Sequence, residues 1–192
     1  SPKATAPATP SAAVSPVRVA GHTDLPGYAG DFDHFAVDEK DGRLFLAGED
    51  GGELKVFDLK SGALIQSLPG FDAPHSLIYL PDTGELVVVA NTKSRVLDAK
   101  TLATKRPLAL ADGADSLAYD VARKRAYVVT GGKDVKMTTS ALVEIDPYTG
   151  KTYGQTVFDG DHTEALAVED QGSRIFINQT DKNLLDVVDK TT

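Results

Sequence analysis

One sequence pattern occurs four times along the chain: a polar residue, an apolar run, a turn and a second apolar run. The copies are "DHFAVDEKDGRLFLAGED" (33–50), "HSLIYLPDTGELVVVANT" (75–92), "DSLAYDVARKRAYVVTGG" (115–132) and "EALAVEDQGSRIFINQTD" (164–181). Successive copies begin 42, 40 and 49 residues apart. A repeat of this length indicates stacked units, because a single unit cannot bury its own apolar surface.

Each copy continues into further short apolar runs. A third run ends in Asp and a turn in all four copies (53–62, 94–101, 141–150 and 184–192), and a fourth run follows the first three (63–70, 103–110 and 151–159). The runs are rich in β-branched and aromatic residues, and Gly, Asp, Asn and Pro separate them. Four strands per unit of about 40 residues are typical of a β-propeller blade, whereas a β-sandwich has no need to repeat its sequence. We therefore predict an all-β propeller with about four blades of four antiparallel strands.

The domain boundaries follow from the same pattern. Residues 1–16, "SPKATAPATPSAAVSP", have too little apolar surface to fold and are predicted to be a disordered tail. Residues 17–192 form the propeller portion, with an outer closing strand at 17–30 and blades that start near 31, 73, 113 and 162. The last copy has only three strands, so we expect about half of a larger ring of seven blades. The missing C-terminal half, or a second chain, would complete it.

Composition excludes several classes of function. The formal net charge of −8 argues against binding to nucleic acid, whose phosphates require a basic surface. The chain has no cysteine, which excludes disulfides, thiolate nucleophiles and cysteine-ligated metals. No apolar run approaches the roughly 20 residues that a membrane-spanning helix needs, so no membrane span is expected.

Several motifs resemble the YVTN-type β-propeller repeat proteins, a bacterial family of mostly exported seven-bladed propellers. The similar segments are "FDHFAVDEKDGRLFLAGEDGGELKVFDLKSG", "ELVVVANT", "AYVVTGG" and "ALVEIDPYTGK", within residues 31–192. This resemblance implies a periplasmic or secreted location and a first strand in each blade that lines the central channel. The residue before that strand should then lie at the channel mouth.

Polar residues occupy this mouth position in every copy, as Asp33, His75, Asp115 and Glu164. His34 and His162 stand beside two of them. The loops between second and third strands should emerge on the same face, and the longest, 130–140, carries Lys133 and the only methionine, Met137. Long insertions on one face of a repeat protein often mark a binding face. We therefore predict a ligand-binding mouth formed by Asp33, His34, His75, Asp115, Lys133, Met137, His162 and Glu164.

Two functions are compatible with such a mouth. The first is a non-catalytic periplasmic or secreted binding module that engages a small molecule or a protein. The second is a metal-dependent hydrolase or lyase, by analogy with gluconolactonase-type propellers, in which His75, Asp115 and Glu164 hold Ca²⁺, Zn²⁺ or Mn²⁺. No nucleophile elbow of the type G-x-S-x-G is present, so no catalytic residue is assigned and the binding module is favoured. A wet channel mouth without a ligand would also carry polar residues.

Overall fold

The computed structural model describes residues 17–191, so the predicted tail at 1–16 lies outside the described residues. Within residues 17–191, fifteen strands form four antiparallel sheets, each in simple sequence order. Blade 1 contains β1 (Phe35–Asp38), β2 (Arg43–Gly48), β3 (Glu53–Asp58) and β4 (Leu64–Pro69); blade 2 contains β5 (Asp72–Leu80), β6 (Glu85–Thr92), β7 (Arg95–Asp98) and β8 (Thr104–Pro107). Blade 3 contains β9 (Leu117–Asp120), β10 (Arg125–Gly131), β11 (Ser140–Ile145) and β12 (Thr152–Phe158); blade 4 contains β13 (Thr163–Val168), β14 (Arg174–Gln179) and β15 (Leu184–Asp189).

The first strand of each blade lies on the inside of the arc. Strand β1 contacts β5, β5 contacts β9, and β9 contacts β13. The predicted all-β propeller is confirmed, with three blades of four strands and one of three strands in the described part. Two short 3₁₀ turns, Lys133–Val135 and Thr180–Lys182, are the helical elements of residues 17–191, and neither has the length or apolar character needed to cross a bilayer.

The predicted outer strand at 17–30 is not formed in the structure. The segment belongs to none of the four described sheets, although the sheet of blade 4 has three strands and not four. Val17 and Val19 are 78% and 91% exposed. The segment instead crosses the outer face of blade 1, where Thr23 Oγ1 donates to the carbonyl of Gly62 at 2.6 Å.

In the described part of the chain, the hydrophobic core lies between neighbouring blades, in three separate clusters. The cluster between blades 1 and 2 includes Phe45 and Leu54 from one side and Leu86 and Leu97 from the other, all fully buried. Similar clusters join blade 2 to blade 3 and blade 3 to blade 4. Because side chains alternate along a strand, every blade presents an apolar face on each side and must be covered twice.

A recurring aspartate closes the turn after each third strand. Asp58, Asp98, Asp146 and Asp189 each accept a hydrogen bond from the backbone N–H of a residue two or three positions later. These aspartates therefore cap the turn after each third strand. The bonds fix the direction in which the chain leaves each third strand.

One buried ion pair joins blade 3 to the end of blade 4. Lys190 Nζ lies 2.7 Å from Asp120 Oδ2, and the two side chains are 2% and 1% exposed. Asp120 also accepts a hydrogen bond from the backbone N–H of Arg123 at 3.0 Å. The pair therefore ties the β9–β10 turn to the chain that follows β15.

Replacing Asp120 with Asn should destabilise the protein strongly, because the Lys190 ammonium would stay buried without its counter-charge. We expect the free energy of unfolding to fall by about 3–5 kcal/mol, measured by urea denaturation. The matched control is Asp82→Asn, which breaks an exposed pair with Lys124 and should change little. Equal effects of the two substitutions would contradict this account.

Candidate binding site at the channel mouth

A β-bulge stands at the start of the inner strand of each blade. In blade 2, His75 and Ser76 together oppose Val89, and in blade 4 the residues Glu164 and Ala165 together oppose Asn178. In blade 1 the backbone of Ala47 bonds to both Asp33 and His34, and in blade 3 that of Val129 bonds to both Asp115 and Ser116. Bulges redirect side chains and end regular pairing. The mouth residues predicted from the repeat thus occupy one equivalent position in all four blades.

The His75 side chain is the centre of a polar cluster. It is 7% exposed, and its Nδ1 lies 3.2 Å from Asp33 Oδ2 while its Nε2 lies 3.2 Å from Asn91 Oδ1. Two further carboxylates approach Nδ1: Glu49 Oε1 at 3.8 Å and Asp115 Oδ1 at 4.0 Å. Residues from three blades therefore converge on one imidazole ring.

Backbone contacts between blades hold this cluster in place. The N–H of His34 donates to the carbonyl of His75 at 3.1 Å, and the N–H of Gly113 donates to the carbonyl of Asn91 at 2.8 Å. Gly113 has a φ of +74°, and a Cβ there would lie 2.2 Å from the carbonyl oxygen of Gly131. Only glycine permits this approach, which places Asp115 next to His75.

The surrounding carboxylates keep His75 protonated. Burial is the largest influence and would lower the pKa of His75, but the hydrogen bond to Asp33, the charge of Asp115, the bond to Asn91 and the charge of Glu49 together raise it to about 9. Burial would likewise raise the pKa of Asp33, yet its hydrogen bonds to His34 and His75 bring it to about 2. The two residues therefore form an imidazolium–carboxylate pair at neutral pH.

The other two carboxylates are harder to ionise. Burial raises the pKa of Asp115 to about 6, with further increases from the charges of Asp33 and Glu164 and an opposing effect of His75. Burial also raises the pKa of Glu49, again opposed by His75. Crowded carboxylates of this kind are common at functional sites.

The remaining predicted mouth residues divide between two places. His34 joins the His75 cluster through its Nδ1, which lies 2.5 Å from Asp33 Oδ1. His162 and Glu164 form a separate pair with each other, and Lys133 Nζ lies 3.0 Å from both ring nitrogens of His162. Met137 is half-exposed and is not among the residues that line the pocket beside His75.

Sequence reasoning did not single out two members of the cluster, Glu49 and Asn91. They are 42 residues apart and occupy the same position in the repeat, with Glu49 directly after β2 and Asn91 near the end of β6. A position at the end of a strand or in a loop does not by itself indicate where its side chain points.

The cluster offers a set of metal ligands that differs from the predicted one. Asp33, Glu49 and His75 each contribute one ligand atom, and these atoms lie within 4.8 Å of one another. Of the predicted ligands His75, Asp115 and Glu164, the structure brings the first two together, while Glu164 pairs with His162. One imidazole with two carboxylates suits Zn²⁺ or Mn²⁺ better than Ca²⁺, which prefers oxygen ligands throughout.

Stability should depend on pH through His75. Its pKa is raised from 6.5 to about 9 on folding, so its contribution is complete below pH 6.5 and is lost as the pH rises to 9. We expect the free energy of unfolding to fall by up to roughly 3 kcal/mol between pH 6.5 and 9, measured by urea denaturation at several pH values. The range starts above the pKa of Asp115, which is also raised on folding, so that its ionisation lowers the stability in the same direction but at lower pH.

Two variants check this assignment. His75→Gln should remove most of the slope, whereas His22→Gln, at an exposed histidine outside the cluster, should leave it unchanged. A slope that persists without His75 would show that another group carries it.

Comparison with known proteins identifies the fold. No protein-family model matches the chain, and no curated protein matches it by sequence. Among solved structures, it is similar to the Dos1 propeller (14% identity, TM-score 0.65, covering 83% of this chain and 45% of that one) and to the hydrazine synthase of Kuenenia stuttgartiensis (14%, 0.59, 81% and 53%). It is also similar to the computationally designed Ika4 protein (17%, 0.63, 88% and 98%). The chain thus spans about half the length of the first two structures, and the likeness establishes a β-propeller fold.

Proposed function

We propose that this chain is part of a non-catalytic binding propeller that holds a small cationic ligand at its channel mouth, with a divalent cation as the simplest case. A propeller fold suits a binding or scaffold role, and the observation that carries the proposal is the His75 cluster. Three carboxylate oxygens lie within 4.0 Å of one buried imidazole nitrogen. In the unliganded protein the proton on His75 supplies the positive charge that these carboxylates require.

A metal ion at this site would replace that proton. Coordination through Nδ1 needs a neutral imidazole, and Nδ1 is the nitrogen that faces Asp33 and Glu49. Because the pKa of His75 is about 9, binding at pH 7.5 should release about one proton per ion. The affinity should rise about tenfold per pH unit up to pH 9.

Titration calorimetry with Zn²⁺ and with Mn²⁺, in PIPES and in Tris, tests the proposal. The difference in heat between the buffers gives the number of protons released. Glu49→Gln and His75→Ala should each weaken binding at least about tenfold, and Glu164→Gln, at the other acid of the mouth, should not. Loss of affinity in the His75 and Glu164 variants but not in the Glu49 variant would favour the ligand set predicted from sequence, and no binding of either metal would contradict a cation site.

One observation favours the second candidate, a metal-dependent hydrolase or lyase of the lactonase type. Asp115 lies beside the cluster with a pKa of about 6, which suits a general base near neutral pH. If this function is correct, hydrolysis of simple lactones in the presence of Zn²⁺ or Mn²⁺ should increase through pH 6. Asp115→Asn should then reduce the rate at least about 100-fold, and the absence of turnover across a lactone panel would contradict it.

The family, location and ring size are further parts of the proposal. The YVTN-like motifs support membership of that family, a ring of seven blades and a periplasmic or secreted location, and the Ala/Pro/Ser/Thr composition of residues 1–16 suits an exported linker. Fractionation of the cells that make the protein checks the location. Further blades, from the same chain or from a second chain, would complete the ring.

A further inference from the structure

The outer face of blade 4 carries the same side chains that join blade 1 to blade 2. Ala167, Phe176, Leu185 and Val187 each lie 131 residues after Ala36, Phe45, Leu54 and Val56, and the residue types are identical. The four residues in blade 1 are buried against blade 2. In blade 4, Leu185 and Val187 are 62% and 56% exposed. At the neighbouring position the two blades differ, with Ala47 in one and Asn178 in the other.

The polar residues at the edge of this face correspond as well. Arg43 pairs with Asp38, lies 5.3 Å over the ring of Phe45 and donates to the carbonyl of Ala99 in blade 2. Arg174 pairs with Glu169 and lies 5.3 Å over the ring of Phe176. Arg174 therefore makes the same contacts within its own blade as Arg43, which from this position donates a hydrogen bond to the next blade.

An arginine crosses every interface between described blades to the same acceptor position. Arg43 donates to Ala99, Arg106 donates to Pro147 and Arg123 donates to Lys190, and each acceptor carbonyl belongs to the residue after a turn aspartate. In blade 1 that residue is Leu59, which follows Asp58. Leu59 is exposed.

The outer face of blade 1 carries the matching apolar surface. Phe35, Leu44, Leu46 and Phe57 correspond in the repeat to Leu77, Leu86, Val88 and Leu97, the side of blade 2 that receives blade 1. Residues 20–23 cross this face without filling it, and a cavity of about 490 Å³ remains over Leu44, Leu46 and Phe57. One molecule thus presents both halves of an interface that it already uses internally.

We propose that the outer face of blade 4 docks onto the outer face of blade 1 of a second copy of this chain. The contact is head-to-tail, with Leu185 and Val187 packed on Leu44 and Leu46, and with Arg174 donating to the Leu59 carbonyl. Residues 20–23 leave the face when the second copy docks. A head-to-tail contact closes into a ring when its rotation permits, and two copies of four blades make eight, within the range of known propellers.

This inference depends on the completion of the ring by a second chain proposed above, gives that ring eight blades in place of seven, and is independent of what the mouth binds. Sedimentation equilibrium of the full chain should give twice the monomer mass of 20.3 kDa. Leu185→Asp and Phe35→Asp should each raise the dissociation constant at least about 100-fold, since each places a charge in an apolar contact. Both positions are exposed in the monomer, so the variants should still fold, which circular dichroism checks. Val121→Asp, at an exposed residue in the β9–β10 turn, should remain dimeric.

A mixing experiment tests the direction of the contact. The Leu185 variant keeps an intact blade 1 face, and the Phe35 variant keeps an intact blade 4 face, so an equimolar mixture should form a heterodimer with one interface. A blade 4 to blade 4 contact would instead spare the Phe35 variant, and that outcome would overturn the proposal.

A monomer at 100 μM would also overturn it, and would leave further blades of a longer chain as the occupant. Metal titration of the monomeric variants separates this result from the proposed function, because the Asp33–Glu49–His75 set lies within blades 1 and 2.

Discussion

The packing of one blade on the next is the interaction on which this structure depends. A single blade is a twisted sheet with an apolar face on each side, and its own strands can cover neither face. Phe45, Val87 and Tyr127 occupy the same position in blades 1, 2 and 3, and each is buried against the following blade. The position of the inner strands follows from this packing, and so does the convergence of side chains at the channel mouth.

The β-bulges at the start of the inner strands bring polar side chains of neighbouring blades together at the channel mouth. Regular alternation would send successive residues to opposite faces of the sheet, towards the neighbouring blades. A bulge interrupts that alternation at the start of each inner strand and redirects Asp33, His75 and Asp115 towards one another. The resulting repulsion between carboxylates is offset by the positive charge of His75, whose pKa these carboxylates raise.

Most of the fold could be predicted from the sequence because each copy of the sequence repeat folds into one structural unit, a blade. Equivalent apolar runs in the four copies form equivalent strands, and the strand boundaries fall near those that the runs indicate. The outer strand at 17–30 could not be decided in this way, because an extended segment becomes a strand only when a partner is in reach, and pairing is a property of the assembled ring.

Prediction of the site was partial for a related reason. The repeat placed Asp33, His75, Asp115 and Glu164 at one equivalent position, and the structure agrees. Equivalence in a ring does not imply contact, however, since residues two blades apart are separated by the width of the channel. Glu164 therefore pairs with His162 of its own blade rather than with His75. Glu49 of blade 1 reaches the cluster, with its Oε1 3.8 Å from Nδ1 of His75 in blade 2.

The comparison between blades 1 and 4 distinguishes the residues that pack against a neighbouring blade from the residues at the channel mouth. Four residues of the face that blade 1 packs against blade 2, from Ala36 to Val56, have identical counterparts in blade 4, from Ala167 to Val187, and Ala47 is replaced by Asn178. The residues at the mouth, Asp33 and Glu164, are not identical. Packing against a repeated surface demands a repeated shape, whereas a side chain that faces the channel has no such neighbour and is free to differ. Departures from the repeat at buried, charged positions therefore indicate a site in this molecule, and His75, the one mouth residue of the four that is an imidazole, is the clearest departure.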